Sequence, residues 1–158
     1  MNQEARELRN ALGRFATGVC LITTVSRSGQ ALALTANSFS SVSLDPPLVL
    51  WSLQNTSEVY DIYSVASEFA VNVLAHEQLE LSNLYARRGE HVLDPDHYSV
   101  GENGAPIIHD ALVTFECGEH ASYEGGDHLI IVGRVKAVRA RAEGEPLLFF
   151  GGAYRQLR

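Results

Sequence analysis

The chain has 158 residues, of which 46% are hydrophobic and 20% charged, and its 12 Lys and Arg against 19 Asp and Glu give a formal net charge of −7. A chain of this length builds one hydrophobic core, so we expect a single domain over residues 1–158 and no separate nucleotide-binding domain. The acidic balance argues against sequence-independent binding of nucleic acid, which depends on neutralising phosphates with basic residues.

The N-terminus and the apolar runs bear on where the protein works. Residues 1–15 carry both charge signs without a following apolar stretch, so we expect no secretory signal. No apolar run approaches the roughly 20 residues that span a membrane. Cys20 and Cys117 lie in apolar or alternating runs without metal-ligand spacing, which predicts buried free thiols. We therefore expect a cytoplasmic protein without a membrane segment.

The first part of the chain indicates a helix followed by paired strands. Apolar residues at three- and four-residue spacing predict an amphipathic helix over residues 5–15, with Gly18 as its stop. The elements expected next are a strand over 19–25, a hairpin turn over 26–29 and a strand over 31–35. Residues 37–47 are rich in short hydroxyl side chains and close on two prolines, so this segment is expected to be a loop.

The middle of the chain alternates between strands and helices. Residues 48–53 give a strong strand signal, and residues 54–57 then form a predicted cap of a helix. That helix is expected to carry Val59, Ile62, Tyr63 and Ala66 inward. A strand over 69–74 and a helix over 76–86 follow, and the polar, turn-rich segment 87–106 is interpreted as a long surface excursion of the kind that is usually functional or mobile.

Long alternating segments near the C-terminus extend the predicted sheet. Two strands, over 112–123 and 128–141, flank a tight turn at 124–127, and a last strand covers 147–150. Few helices and at least six strands, several of them joined by hairpins, favour a mainly β fold: a closed antiparallel β-barrel with a few helices. A doubly wound parallel sheet would need a helix after nearly every strand.

Common catalytic signatures are absent. There is no GxGxxG after a strand, no P-loop, no GxSxG and no HExxH, and Lys136 is the only lysine, so Schiff-base chemistry has almost no candidate. These absences favour a ligand that binds without a signature loop, in a reaction whose difficult step belongs to a cofactor.

The clustered residues His91, Asp94, Asp96 and His97 are candidate metal ligands, since two carboxylates and two imidazoles can ligate a divalent ion. An Asp-Pro-Asp-His run in a polar loop is more typical of solvated turn chemistry. We therefore predict no metal site.

Two segments are candidates for binding a ligand. Residues 35–41 combine small side chains, backbone N–H donors and polar groups that suit a heterocyclic ring, although a serine- and threonine-rich turn with self-contained hydrogen bonds explains the same composition. Residues 52–57 suit a phosphate at a helix N-terminus, although an ordinary N-cap explains them too. Glu58 would oppose a phosphate unless its side chain points away.

His128 is the candidate for catalysis. It follows Gly125-Gly126-Asp127 at the start of a predicted strand, where an imidazole could project from the barrel rim and Asp127 could orient it. A strand-end histidine satisfied by local hydrogen bonds is the alternative.

Four stretches carry a pattern that covers nearly the whole chain. They are residues 15–24, the block 34–49 with its double proline Pro46-Pro47, residues 69–74, and the C-terminal pair formed by Gly126-Asp127-His128 and residues 146–155. Together they resemble the short-chain flavin reductases, which are the reductase components of two-component flavin-dependent monooxygenases.

The resemblance implies an antiparallel split barrel with a flavin-reductase-like, FMN-binding fold, usually a homodimer. It implies an enzyme that oxidises NADH or NADPH, reduces FMN or FAD, and supplies reduced flavin to a partner flavin-dependent monooxygenase. By position it implies isoalloxazine contacts from Thr35, Ala36, Asn37 and Ser38, ribityl and phosphate contacts from Ser52, Leu53, Asn55 and Ser57, a catalytic His128 beside the nicotinamide, and Tyr154 closing the pocket.

The sequence departs from the flavin reductase pattern at two places, and two alternatives to the implied function stay open. An Arg-Phe pair and a Lys-Phe pair common in relatives are replaced here by Leu84-Tyr85 and His97-Tyr98, so Arg87 and Arg88 are alternative phosphate ligands. The chain could also be a flavin-binding module or an oxidase that retains its flavin without nicotinamide-dependent turnover. A barrel that binds no flavin and acts only as an interaction subunit is the other alternative.

Overall fold

The computed structural model describes residues 1–158, and strands dominate it. The helices are α1 (Gln3–Leu12), α2 (Tyr60–Tyr63) and α3 (Leu79–Ala86), with 3-10 turns at His76–Gln78 and Pro95–His97. The strands are β1 (Thr17–Gly18), β2 (Cys20–Val25), β3 (Ala31–Ala36), β4 (Ser40–Leu44), β5 (Pro47–Gln54), β6 (Glu68–Val73), β7 (Tyr98–Val100), β8 (Pro106–Ile108), β9 (Val113–Gly125), β10 (His128–Ala140), β11 (Leu148–Phe150) and β12 (Ala153–Arg155).

A seven-stranded antiparallel sheet in the order β3-β2-β6-β9-β10-β5-β4 forms the body of the protein. The sheet is curled so that its two ends lie close together. Ser38, just after β3 at one end, is hydrogen-bonded to Ser52 in β5, which is next to the other end. Apolar side chains from β2, β3, β5, β6, β9 and β10 fill the space inside. The prediction of a mainly β antiparallel barrel with a few helices is confirmed.

Strand β5 shows how the sequence builds this core. Alternate residues point to opposite faces of a strand, and accordingly Val49, Trp51 and Leu53 are buried while the residues between them are partly exposed. Trp51 makes edge contacts with Tyr63 and Phe69 at ring-centroid distances of 5.7 and 6.4 Å. The inward-facing side chains of β5 therefore pack in the barrel core. The polar residues at the C-terminal end of β5 face a groove on the surface.

A second apolar cluster lies outside the barrel, under α3. It joins Leu21 and Ala33 of the sheet to Tyr85 of α3 and to Leu93 and Leu147 from later segments. This packing holds the C-terminal end of α3 beside β3. None of the helices is long and apolar enough to cross a membrane.

The expected loop at residues 37–47 was partly wrong. Ser40–Leu44 forms strand β4, which pairs with β5 at the edge of the sheet. An edge strand with mostly exposed side chains needs no alternating apolar pattern, and its hydroxyl residues therefore gave no strand signal.

Two predicted helices differ from the structure. The helix after β5 is a single turn, Tyr60–Tyr63, without a side-chain cap, because Gln54 continues the strand opposite His128 and the Asn55 N–H donates to the Asp127 carbonyl at 2.9 Å. The first helix ends at Leu12 and is capped by Gly13. Gly18, the predicted stop, lies in β1 instead.

The segment 87–106 is more ordered and more buried than a surface excursion. It contains a 3-10 turn and strand β7, and His91 and Leu93 are buried within it. Its backbone adds to the edge of β3, since the Ala33 N–H donates to the His91 carbonyl and the Leu93 N–H to the Ala31 carbonyl, both at 2.9 Å. These long-range backbone contacts have no signature in a polar sequence.

Candidate functional site

An open groove with a volume of about 490 Å³ lies where the ends of β3, β5 and α3 meet the start of β10. Its lining is polar and is formed by Leu34, Thr35, Ala36, Asn37, Ser38, Ser52, Gln54, Thr56, Ser57, Glu58, Ala86, Arg88, His91 and His128. Pockets of about 300–1,000 Å³ are typical of small-molecule and cofactor sites. Seven of the ten residues that the sequence predicted as site residues converge here: Thr35, Ala36, Asn37, Ser38, Ser52, Ser57 and His128.

The first wall is the end of β3 and the residues after it. Their hydrogen bonds are not self-contained: the Thr35 hydroxyl donates to the Ser82 carbonyl at 2.7 Å, and the Ser38 Oγ accepts from the Ser52 N–H at 2.9 Å. The alternative of a self-satisfied turn therefore does not describe this segment. Asn37 is exposed and lines the groove, which leaves its amide available to a ligand.

The second wall is the end of β5 and the segment after it. Ser52 and Ser57 line the groove, whereas Leu53 is fully buried in the barrel core. The Asn55 side chain turns the other way, and its amide donates to the Gly126 carbonyl at 3.2 Å. Asn55 thus ties this segment to the β9–β10 turn instead of lining the groove.

His128 stands at the rim, opposite Gln54 in the β5–β10 pairing. Its Nδ1 lies 2.7 Å from Asp127 Oδ1, and its side chain is 40% exposed. The hydrogen bond from His128, followed by the attraction of its charge, lowers the pKa of Asp127. The carboxylate therefore orients the ring through Nδ1 and leaves Nε2 free for a ligand.

Gly126 explains how this rim is shaped. Its φ of 69° lies in the left-handed region that glycine adopts without strain. It occupies the first position of the two-residue connection between β9 and β10, where a hairpin needs this conformation. The glycine thereby places Asp127 and His128 at the mouth of the groove.

A contact that sequence reasoning missed joins the two walls. Glu58 Oε1 accepts from the Gly89 N–H and lies 2.8 Å from His91 Nε2, and its Oε2 lies 3.7 Å from Arg88 Nε. His91 Nδ1 donates to the Ala33 carbonyl at 3.1 Å. Of the two arginines considered, Arg88 lines the groove and Arg87 does not.

No sequence signal could have found this contact. Glu58 and Gly89 are 31 residues apart, and the sequence pattern placed His91 in a solvated turn. Only the packing of segment 87–93 along β3 brings these groups together.

Tyr154 reaches the groove indirectly. Its hydroxyl shares a 2.6 Å hydrogen bond with Ser82 Oγ, and the Ser82 carbonyl accepts from Thr35. Its ring packs edge-on against Phe149 at 5.4 Å. Tyr154 therefore supports the β3 wall through Ser82 and is not among the residues that line the groove.

The residues weighed as metal ligands face different partners. His91 contacts Glu58, whereas His97 Nδ1 lies 2.7 Å from the Tyr85 hydroxyl and Asp94 accepts from the Asp96 N–H. No group of three or more His, Cys, Asp or Glu side chains is arranged to hold a metal ion.

Neither cysteine lines the groove. Cys20 and Cys117 are free and buried, as predicted, and burial raises the pKa of each to about 12. Neither is a thiolate nucleophile at neutral pH. The groove thus offers hydroxyls, amides, two imidazoles, one guanidinium and the Glu58 carboxylate, which are groups that bind and orient a ligand.

The fold and site thus define a mainly antiparallel β-barrel with an open polar groove that can bind and orient a small molecule or cofactor. The family model described as the flavin reductase like domain matches residues 12–158. The chain therefore belongs to the flavin reductase family.

Individual relatives agree with this assignment. The chain is 43% identical over 152 residues to the NADH-dependent FMN reductase SmoA of Agrobacterium fabrum, covering 96% of this chain and 86% of that protein. It is 40% identical over 149 residues to the reductase component of a flavin-dependent trigonelline monooxygenase of Acinetobacter baylyi, covering 94% of this chain. It spans about half of that longer relative, 48% of its length.

A solved structure shares the whole fold. The NADH:FAD oxidoreductase SgcE6 of Streptomyces globisporus C-1027, in complex with NAD and FAD fragments, superposes with a TM-score of 0.92 at 35% identity and covers 99% of this chain and 94% of that one. The predicted split-barrel fold and the predicted enzyme class, an NAD(P)H-dependent flavin reductase, are confirmed. The predicted use of a flavin and a nicotinamide cofactor is confirmed with them.

Proposed function

We propose that residues 1–158 act as one catalytic domain that binds flavin and nicotinamide in this groove and supplies reduced flavin to a partner flavin-dependent monooxygenase. The observation that carries the proposal is the convergence of the β3 end, the β5 end and His128 on one polar groove. When bound, the flavin supplies the redox chemistry, since its ring accepts the hydride that NADH or NADPH gives up. The protein binds and orients the reactants.

The β3 wall is proposed to hold the ring system. Thr35 and Ser38 use their hydroxyls to fix the backbone, so this wall meets a flat ligand with backbone groups, the small Ala36 and the free Asn37 amide. Small side chains allow the close approach that a planar ring needs. Tyr154 is proposed to position Thr35 through Ser82.

The β5 wall is proposed to hold the ribityl chain and phosphate. Ser52 and Ser57 line the groove there and supply short hydroxyl groups. Leu53 contributes by filling the core beneath the wall, and Asn55 contributes by fastening the wall to the β9–β10 turn. We propose that the side chains of both residues act by positioning the wall.

His128 is proposed to contact the nicotinamide. Asp127 holds Nδ1 at 2.7 Å, and the partly exposed ring then presents Nε2 at the rim, next to the wall proposed for the flavin. Hydride transfer requires two rings at near-attack distance, and a fixed imidazole beside the groove can set that geometry.

We also propose a homodimer. Large apolar side chains in and just after α1 are exposed: the exposed fractions of Leu8, Leu12 and Phe15 are 61%, 66% and 80%. Leu44 on the edge strand β4 is 97% exposed. Large apolar side chains with this much exposure suit an interaction surface, and a second copy is the occupant that we propose. The cytoplasmic location and the absence of nucleic-acid partners stay predictions.

The direct test is an assay of purified protein with NADH or NADPH and excess FMN or FAD, following nicotinamide absorbance. Flavin-stimulated oxidation is expected with at least one nucleotide, and its absence with both would contradict the proposal. Gel filtration of the flavin-loaded protein separates a flavin that is a substrate, which is lost, from a retained prosthetic group. The supply of reduced flavin is tested by adding the protein, with NADH or NADPH and flavin, to an oxygenase that requires reduced flavin, and measuring hydroxylated product.

A further inference from the structure

A carboxylate occupies the cationic end of the groove. Glu58 accepts from the Gly89 N–H, lies 2.8 Å from His91 Nε2, and lies 3.7 Å from Arg88 Nε. The Glu58 side chain is 31% exposed, that of His91 9% and that of Arg88 92%. The carboxylate thus holds two hydrogen-bond donors, the Gly89 N–H and His91 Nε2, and forms a looser ion pair with Arg88 on the same side of the groove.

Those donors are of the kinds that bind phosphate. A backbone N–H, an imidazole and a guanidinium all form charge-assisted hydrogen bonds with an anion. Glu58 occupies the Gly89 N–H and His91 Nε2 from within the chain, and its negative charge offsets part of the attraction that Arg88 would offer to an anion. A phosphate monoester, with a charge of about −1.5 to −2 at neutral pH, then meets a carboxylate beside the donors that would bind it.

The carboxylate is not the only contact that holds His91 in place. His91 is independently fixed, because its Nδ1 donates to the Ala33 carbonyl at 3.1 Å and its own carbonyl accepts from the Ala33 N–H at 2.9 Å. The Leu93 N–H adds a further backbone bond to Ala31. His91 and Leu93 are therefore anchored to β3 without the charge on Glu58.

We propose that Glu58 is a specificity-determining residue that competes with the flavin phosphate for Arg88, His91 and the Gly89 N–H. The competition weakens the binding of phosphorylated flavin relative to riboflavin and speeds the release of the flavin product. This inference rests on the proposed function, in which the groove binds flavin as a substrate.

The test is a comparison of FMN and riboflavin binding to the wild type and to Glu58→Gln, by quenching of flavin fluorescence. The glutamine keeps an oxygen acceptor for Gly89 and removes the charge. We expect the variant to bind FMN about tenfold more tightly, a change of about 1.4 kcal/mol, and to bind riboflavin as the wild type does. Adding Arg88→Gln to the variant should remove most of the gain, which shows coupling between the two sites.

Glu68→Gln is the matched control. Glu68 is similarly exposed, at 34%, and is ion-paired with Lys136, but it does not line the groove. It should change neither FMN nor riboflavin binding. Arg88→Gln alone, at a side chain that is 92% exposed, provides a second variant whose folding is not in question, and it should weaken FMN but not riboflavin binding.

Inorganic phosphate provides a readout that is independent of flavin. Its binding, followed by phosphorus NMR, should be tighter for Glu58→Gln than for the wild type. Equal phosphate affinity, equal FMN affinity, or a parallel loss of FMN and riboflavin binding in Glu58→Gln would overturn the inference, the last because it indicates a purely structural role. A wild type that binds neither FMN, FAD nor riboflavin would instead overturn the proposed function, and the phosphate comparison would still decide the role of Glu58.

Discussion

Ser38 and Ser52 join opposite ends of the barrel sheet: the Ser52 N–H donates to Ser38 Oγ at 2.9 Å, and the Ser38 hydroxyl donates to the Ser52 carbonyl at 3.3 Å. Ser38 follows β3 at one end of the strand order, and Ser52 lies in β5 next to the other end. Both residues also line the groove. The closure of the barrel and the shape of the candidate cofactor site therefore depend on the same contact.

Replacing Ser38 with Ala should weaken both the stability of the barrel and the binding of flavin in the groove. Loss of this partly buried hydrogen bond is expected to lower the free energy of unfolding by about 1 kcal/mol and to leave the Ser52 N–H without its partner. Urea unfolding measures the first effect, and FMN binding, expected to weaken severalfold, measures the second. Ser99→Ala, at an exposed position in β7, is the control that should change neither. Unchanged unfolding of Ser38→Ala would show that the contact does not close the barrel.

Replacing His128 with Ala should lower turnover more than flavin binding. The ring lies at the rim, held by Asp127, and its proposed role is to place the nicotinamide. Misplacing a reactant costs on the order of 10–100-fold in rate. Steady-state kinetics should therefore show a fall in kcat/KM for the nicotinamide, with flavin affinity within about twofold of the wild type. Equal losses in kcat/KM for the nicotinamide and in flavin affinity would contradict a role confined to the nicotinamide.

The Asp127 carboxyl should titrate below its ordinary pKa of 3.8 because His128 donates a hydrogen bond to it and attracts its charge. A lowered pKa favours the ionised carboxylate in the folded protein. Its contribution to stability is therefore present above pH 3.8 and is lost as the pH falls through the lowered value. Carbon NMR titration should show the pKa return toward 3.8 in His128→Ala. No change between the two proteins would rule out His128 as the cause.

Replacing Gly133 in β10 with Ala should destabilise the barrel. An added Cβ would lie 2.5 Å from Phe69 Cζ and 3.1 Å from Cys117 Cβ, and both neighbours are buried. Overpacking of this kind typically costs about 1–3 kcal/mol. Thermal unfolding should show a lower Tm, whereas Gly18→Ala, where an added Cβ has nothing within 4 Å, should stay close to the wild type. A wild-type Tm for Gly133→Ala would mean that the Phe69 ring moves aside freely.

The strands of the barrel were predictable because burial imposes a pattern on them. The strand expected at 48–53 is Pro47–Gln54, and the turn expected at 124–127 joins β9 to β10. The exposed edge strand Ser40–Leu44 was not predicted, and the helix that was predicted after residues 54–57 is only a single turn, Tyr60–Tyr63. Their form depends on pairing with β5 and on the contact of Asn55 with the β9–β10 turn, which a local pattern does not record.

The candidate site shows the same division. The resemblance in the sequence pointed to Thr35–Ser38, Ser52, Ser57 and His128, and these residues do meet in one groove. It also pointed to Leu53, Asn55 and Tyr154, whose side chains face the core, the hairpin turn and Ser82 instead. A motif records which residues accompany a function, but the direction of each side chain depends on the packing around it.

By itself the sequence determined the mainly β class, the order of the main strands, the buried thiols and the family, because each of these follows from local periodicity or from motifs along the chain. Only the tertiary structure decided that Glu58, Arg88 and His91 share one end of the groove and that Ser38 closes the barrel onto Ser52. The physical reason is that hydrogen bonds and ion pairs act over a few ångströms in space. Segments that are distant in the sequence come within that range only once the barrel core has packed.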